Sequence, residues 1–115
     1  MLETPPMADY PFPMSRLFDD EIRLVLKDLP DWRYFANALH REFRFLGFEA
    51  AIAFVNRVAD QAISQRHHPD IELHYNRVIL SLTTHADGGV SAKDVSLARA
   101  IDKVVEWKST PTNAN

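Results

Sequence analysis

The sequence predicts an α+β fold in which antiparallel strands pack against helices in the order α-β-β-α-β-β-α. Three segments carry apolar residues at helical spacing, and two pairs of short runs rich in β-branched and aromatic residues alternate between them. The breaks within each pair are too short for a crossover, so the paired strands must run antiparallel. At 115 residues the chain closes one hydrophobic core, which makes a single domain the expectation.

The first 14 residues hold Pro5, Pro6, Pro11 and Pro13, whose fixed φ and missing N–H oppose regular structure. Residues 1–14 are therefore read as a Pro-rich tail, 15–108 as the folded domain and 109–115, ending in "STPTNAN", as a polar C-terminal tail. The first helix opens at Asp19, Asp20 and Glu21, where a helix N-terminus favours negative charge. It carries Ile22, Val25, Leu26 and Leu29 at helical spacing and stops at Pro30.

"DWRYFANALHREFRF" follows as a hairpin broken near Asn37-Ala38, with Leu39, Arg41, Phe43 and Phe45 alternating against His40, Glu42 and Arg44. In "GFEAAIAFVNRVADQAISQR" the positions Phe48, Ile52, Val55, Ala59 and Ala62 form a stripe near the 3.6 period. This is the second helix, and Pro69 is expected to end it. "IELHYNRVILSLTTH" reads as a second strand pair bent near Asn76-Arg77, with Val78, Leu80 and Leu82 sharing a face. After the turn "ADGGV", Ser91 and Asp94 are spaced as a capping pair, and Val95, Ala98, Ile101 and Val105 line one side of the last helix.

Charge and composition exclude several classes of function. A formal net charge of -3, with the basic residues scattered, leaves no electrostatic footprint for direct nucleic-acid binding. Without cysteine there is no disulfide framework, thiolate metal site or cysteine nucleophile. No apolar run reaches the roughly 18 residues of a membrane span, and the N-terminus lacks a signal peptide's basic start and apolar core. A cytoplasmic location and no membrane partner are the expectations.

The chemistry-bearing residues are histidines. Of five in the chain, His67, His68, His74 and His85 fall within nineteen consecutive positions. Imidazole exchanges protons near neutral pH and also binds metals, so the cluster suits an acid-base site or a metal site, or is a polar turn rich in histidine. The metal reading is the weaker: His67 and His68 are adjacent at a helix end, where their side chains diverge, and no HExxH pattern occurs.

From His67 the chain runs His-His-Pro, five residues, Tyr75, nine residues, His85, eight residues, Asp94. This spacing resembles the signature of the pterin-4a-carbinolamine dehydratases. "DLPDWRY", "FRFLGFEAAIAFVNRVADQA" and "THADGGVSAKDVSLARAID" are similar to that family's other segments in order and distance, so the resemblance covers roughly residues 20–105.

The resemblance implies three helices on one face of a four-stranded antiparallel sheet. It also implies dehydration of 4a-hydroxytetrahydrobiopterin to quinonoid dihydrobiopterin and water, in tetrahydrobiopterin recycling and with no cofactor. Position by position it implies that His67 and His85 are catalytic, that His68 binds the pterin and that Pro69 fixes the turn presenting them. Asp94 would orient His85 or raise its basicity, and Trp32 would lie beside the flat ring. A homodimer or homotetramer is implied as well, with an aromatic amino acid hydroxylase as pathway partner. Two alternatives accompany this reading: an interaction module of the dimerisation-cofactor or coactivator type, and a dehydratase-like protein acting on another pterin.

One position departs from the family pattern. Four residues before His67, where a charged residue, usually Glu, is common, stands Ile63, expected one turn below the histidine at the pocket floor.

Overall fold

The computed structural model describes the backbone of residues 16–112 and side chains from 16 to 105. Its elements are α1 (Asp19–Leu26), β1 (Arg33–Phe35), β2 (Ala38–Arg44), α2 (Phe48–Gln65), β3 (Asp70–His74), β4 (Arg77–Leu82) and α3 (Ala92–Thr112), with a 3-10 turn at His85–Asp87. The sheet is antiparallel throughout, in the order β1-β2-β4-β3. This is the predicted α+β fold, three helices on a four-stranded sheet.

The inner face of the sheet follows from strand alternation. Leu39, Phe43, Val78, Leu80 and Leu82 are buried and meet Ile22 of α1, Phe54 and Val58 of α2 and Leu97, Ala98 and Ile101 of α3 in one core. Phe54 sits between Phe43 and Phe45, with ring centroids 4.6 and 5.0 Å away. The first hairpin turns on Ala36 and Asn37, both at positive φ, the backbone that a two-residue loop needs to match strand twist. The loop therefore lies one residue earlier than the sequence suggests.

Two other expectations are corrected. The buried stripe of α2 is Ala51, Phe54, Val58 and Ala62, whereas Phe48 is 45% exposed and Ile52, Val55 and Ala59 are only partly covered. An apolar-rich helix offers more than one stripe, and the large Phe54 wedged between Phe43 of β2 and Phe45 just beyond that strand selects this one. At the other end, α3 continues through Thr112, into the segment read as a tail. Once a helix is nucleated its extension costs little, and each further residue adds a hydrogen bond except Pro111, which has no N–H. Residues 1–14 lie outside the described residues.

The end of α2 is set by its own backbone before Pro69 acts. Arg66 adopts the left-handed conformation at φ 56°, His67 N–H donates to Ala62 O (3.0 Å) and Arg66 N–H to Ile63 O (3.2 Å). That pair of bonds is a Schellman motif, which fixes the first residue beyond the turn, His67, against the helix end.

Candidate active site

His67 leaves the Schellman turn pointing at the start of α3. The two helix ends lie side by side, tied by a 2.9 Å hydrogen bond from Ser96 Oγ to Gln65 Oε1. Asp94 lies in the first turn of α3 and is fully buried. Its Oδ1 is 2.5 Å from Nε2 of His67, whose side chain is 11% exposed. A buried carboxylate must be paired and hydrogen-bonded to be tolerated. The remaining oxygen meets that demand: Oδ2 accepts from Thr84 Oγ1 at 2.8 Å and from the Ser91 backbone N–H at 2.9 Å.

The predicted capping pair is thus present, with Ser91 Oγ also accepting from Lys93 N–H at 3.3 Å. One carboxylate both caps α3 and holds His67.

Thr84 reaches this position from the end of β4. It forms an isolated antiparallel bridge with Gly89, Thr84 N–H donating to Gly89 O at 2.9 Å, and the 3-10 turn bulges out between them. Gly88 ends that turn at φ +81°, a conformation suited to glycine. His85 is the residue after Thr84 and is exposed at the start of the turn. Thr83 Oγ1 anchors the same segment by donating to Asn37 O at 2.7 Å. His85 is therefore carried on a short loop whose base is bonded to the carboxylate that holds His67.

The sequence-derived residues divide accordingly. His67 and Asp94 are in contact, His85 is one residue from a partner of Asp94, and His68 and Pro69 directly follow His67, His68 exposed and Pro69 partly buried. The expected pairing of Asp94 with His85 is corrected: the carboxylate points inward to α2, while His85 lies on the solvent side of its turn. Sequence separation carried no sign of this, since the choice depends on how α2 and α3 dock.

Trp32 is also not where the resemblance put it. It is 3% exposed, packs edge-on to Phe43 at 6.4 Å and donates its indole N–H to Asp102 Oδ1 at 2.7 Å, so it is a core residue of this chain. Ile63 is 68% exposed and not on a pocket floor, because its side chain projects from the solvent side of α2. His74 lies on edge strand β3, 3.2 Å from Glu72, and Tyr75 is a 67% exposed turn residue at φ 56°.

Thr84 and Ser91 are the functional-site residues that the sequence reading missed as side chains of the site. The signal was a threonine beside the candidate histidine, which only tertiary structure could connect to Asp94.

Asp102 is a second carboxylate drawn inward, together with the more deeply covered Arg41. Burial raises its carboxyl above the ordinary value, and outweighs the opposing hydrogen bond from Trp32 and the attraction and hydrogen bond of Arg41 at 2.6 Å. It borders a cleft of about 430 Å³ lined by Asp31, Arg41 and Arg99 among others. Among the described residues, no group of three or more His, Cys, Asp or Glu side chains is arranged to hold a metal ion.

The fold is thus an α+β sandwich that carries a histidine braced by a buried carboxylate. The family model for pterin 4 alpha carbinolamine dehydratase matches residues 15–104, and the chain belongs to that family. A relative from Thermomicrobium roseum named as a pterin-4-alpha-carbinolamine dehydratase is 49% identical over 88 residues, covering 76% of this chain and 95% of its own. One of the same name from Chloroflexus aurantiacus is 50% identical over 92 residues, covering 80% and 99%.

The crystal structure of a transcriptional coactivator/pterin dehydratase from Brucella melitensis superposes with a TM-score of 0.75 at 33% identity, covering 78% of this chain and 98% of that one. This relationship makes the chain a dehydratase at the level of its family.

Proposed function

We propose that this protein dehydrates 4a-hydroxytetrahydrobiopterin to quinonoid dihydrobiopterin and water by histidine acid-base catalysis. The observation that carries the proposal is the contact between His67 and buried Asp94. Hydroxide is a poor leaving group, so the 4a-oxygen must be protonated as the C–O bond breaks, while a ring nitrogen loses its proton to restore a neutral product.

With Asp94 ionised, Nε2 of His67 carries the hydrogen and Nδ1 presents the lone pair, which suits His67 to take the ring-nitrogen proton. His85, exposed and mounted on the turn beside Thr84, is suited as imidazolium to protonate the departing hydroxyl. His68 and Pro69 shape the turn against which the pterin binds. After one turnover His67 holds one proton more and His85 one fewer, and exchange with solvent resets both.

The supporting facts are the family membership and this site geometry. A cytoplasmic place, a homodimer or homotetramer and a hydroxylase that generates the carbinolamine complete the proposal. A stopped-flow measurement of carbinolamine decay tests it: acceleration over the spontaneous reaction is expected, and a rate equal to the buffer control sinks the reading.

A further inference from the structure

With Asp94 ionised, the hydrogen bonds around it have one consistent direction. An ionised carboxylate accepts and cannot donate, so the Thr84 hydroxyl gives its single proton to Asp94 Oδ2. The 2.7 Å contact between Thr84 Oγ1 and Ser91 Oγ must then be donated by Ser91. Ser91 Oγ in turn accepts from the amide of Lys93.

Four links follow: Lys93 N–H to Ser91 Oγ, Ser91 O–H to Thr84 Oγ1, Thr84 O–H to Asp94 Oδ2, and His67 Nε2–H to Asp94 Oδ1. Thr84, Ser91 and Asp94 are all buried, at 6%, 0% and 0% exposure. Water therefore cannot readily replace a missing donor.

We propose that Thr84 is a positioning residue for the reaction: its buried hydroxyl, oriented by Ser91, locks the Asp94 carboxylate so that His67 is held as the Nε2–H tautomer with Nδ1 free to accept a proton. The kinetic part of this inference rests on the dehydratase reading above, whereas the tautomer part does not. Thr84 also joins the two halves of the site, since the same residue bridges to Gly89 and precedes His85. A threonine fits this place better than an apolar residue because its hydroxyl answers two buried oxygens, Asp94 Oδ2 and Ser91 Oγ.

The test combines ring-nitrogen NMR of His67 in the free protein with carbinolamine kinetics of the parent, Thr84→Val and Thr84→Ser. The parent is expected to show the Nε2–H tautomer as the main neutral form. Thr84→Val, nearly the same shape without the donor, is expected to gain Nδ1–H tautomer and lose about tenfold in kcat with KM little changed. Thr84→Ser is expected to restore both.

An unaltered tautomer ratio and a kcat within twofold of the parent in Thr84→Val overturn the proposal. So does a parent protein found mainly as Nδ1–H, which decides the matter even if Thr84→Val fails to fold. If the parent does not accelerate the dehydration at all, the proposed function falls while the tautomer measurement still judges the role of Thr84.

Discussion

The carboxylate of Asp94 and the imidazole of His67, 27 positions apart in sequence, meet at 2.5 Å where the N-terminus of α3 abuts the C-terminus of α2. Asp94→Asn keeps an oxygen for one neighbour but must offer an amide N–H₂ to the other. The variant is expected to remain folded, to lose about 1 kcal/mol of stability as the cap weakens, and to turn over about 10²-fold more slowly. Urea denaturation and stopped-flow kinetics measure the two effects separately, and turnover equal to the parent's contradicts the role given to the carboxylate.

His67→Ala and His85→Ala are both expected to lose most of the catalysed rate, but they separate in stability. His85 is exposed, and its removal is expected to change stability by no more than about 0.5 kcal/mol. Removing His67 leaves Asp94 Oδ1 buried without its partner, at a cost of about 1–3 kcal/mol. Equal midpoints of thermal unfolding in the two variants contradict this placement.

Arg66 bends α2 into its Schellman turn with a side chain that resists positive φ. A left-handed residue other than glycine costs roughly 1–2 kcal/mol, partly offset by the extra unfolded-state freedom of glycine. Arg66→Gly is therefore expected to stabilise the protein by about 0.5–1 kcal/mol in chemical denaturation, and a loss of stability overturns this account of the helix end.

Asp102 gives the fold a dependence on pH that can be isolated with Asp102→Asn. Because its carboxyl titrates above the ordinary 3.8 in the folded chain, the folded state holds this proton more tightly than the unfolded state. The stabilising contribution is complete below 3.8 and is lost as pH rises through the raised folded value. The stability of the parent relative to Asp102→Asn is expected to fall across that window and then level off. A difference that instead grows with pH would show that Arg41 outweighs burial.

Ile63 projects 68% exposed from α2, so Ile63→Glu removes no packing. A negative charge near a helix C-terminus is mildly unfavourable, and thermal denaturation is expected to show a loss below about 1 kcal/mol. A larger loss would mean that this apolar surface is covered in the assembled protein.

Features controlled by neighbours in sequence were legible without the structure. Alternation placed Val78, Leu80 and Leu82 on the buried face of β4, and the spacing of Ser91 and Asp94 announced the cap that starts α3. The histidine spacing singled out His67 and His85 only through its resemblance to the family signature, and both sit at ends of elements whose limits are local. The stripe of α2 was misread by one helical position, since both stripes are apolar and only contact with Phe43 and Phe45 distinguishes them.

The sequence by itself determined the order of helices and strands, the starts of the helices and the residue types available for proton transfer, because periodicity, caps and turns act over a few residues. Tertiary structure alone decided that Asp94 serves His67 and not His85, that Trp32 is enclosed, that Ile63 faces outward and that Thr84 joins the carboxylate. Each of those outcomes depends on how α2, α3 and the end of β4 dock. Burial there makes every unpaired polar atom expensive, and that cost selects the partners.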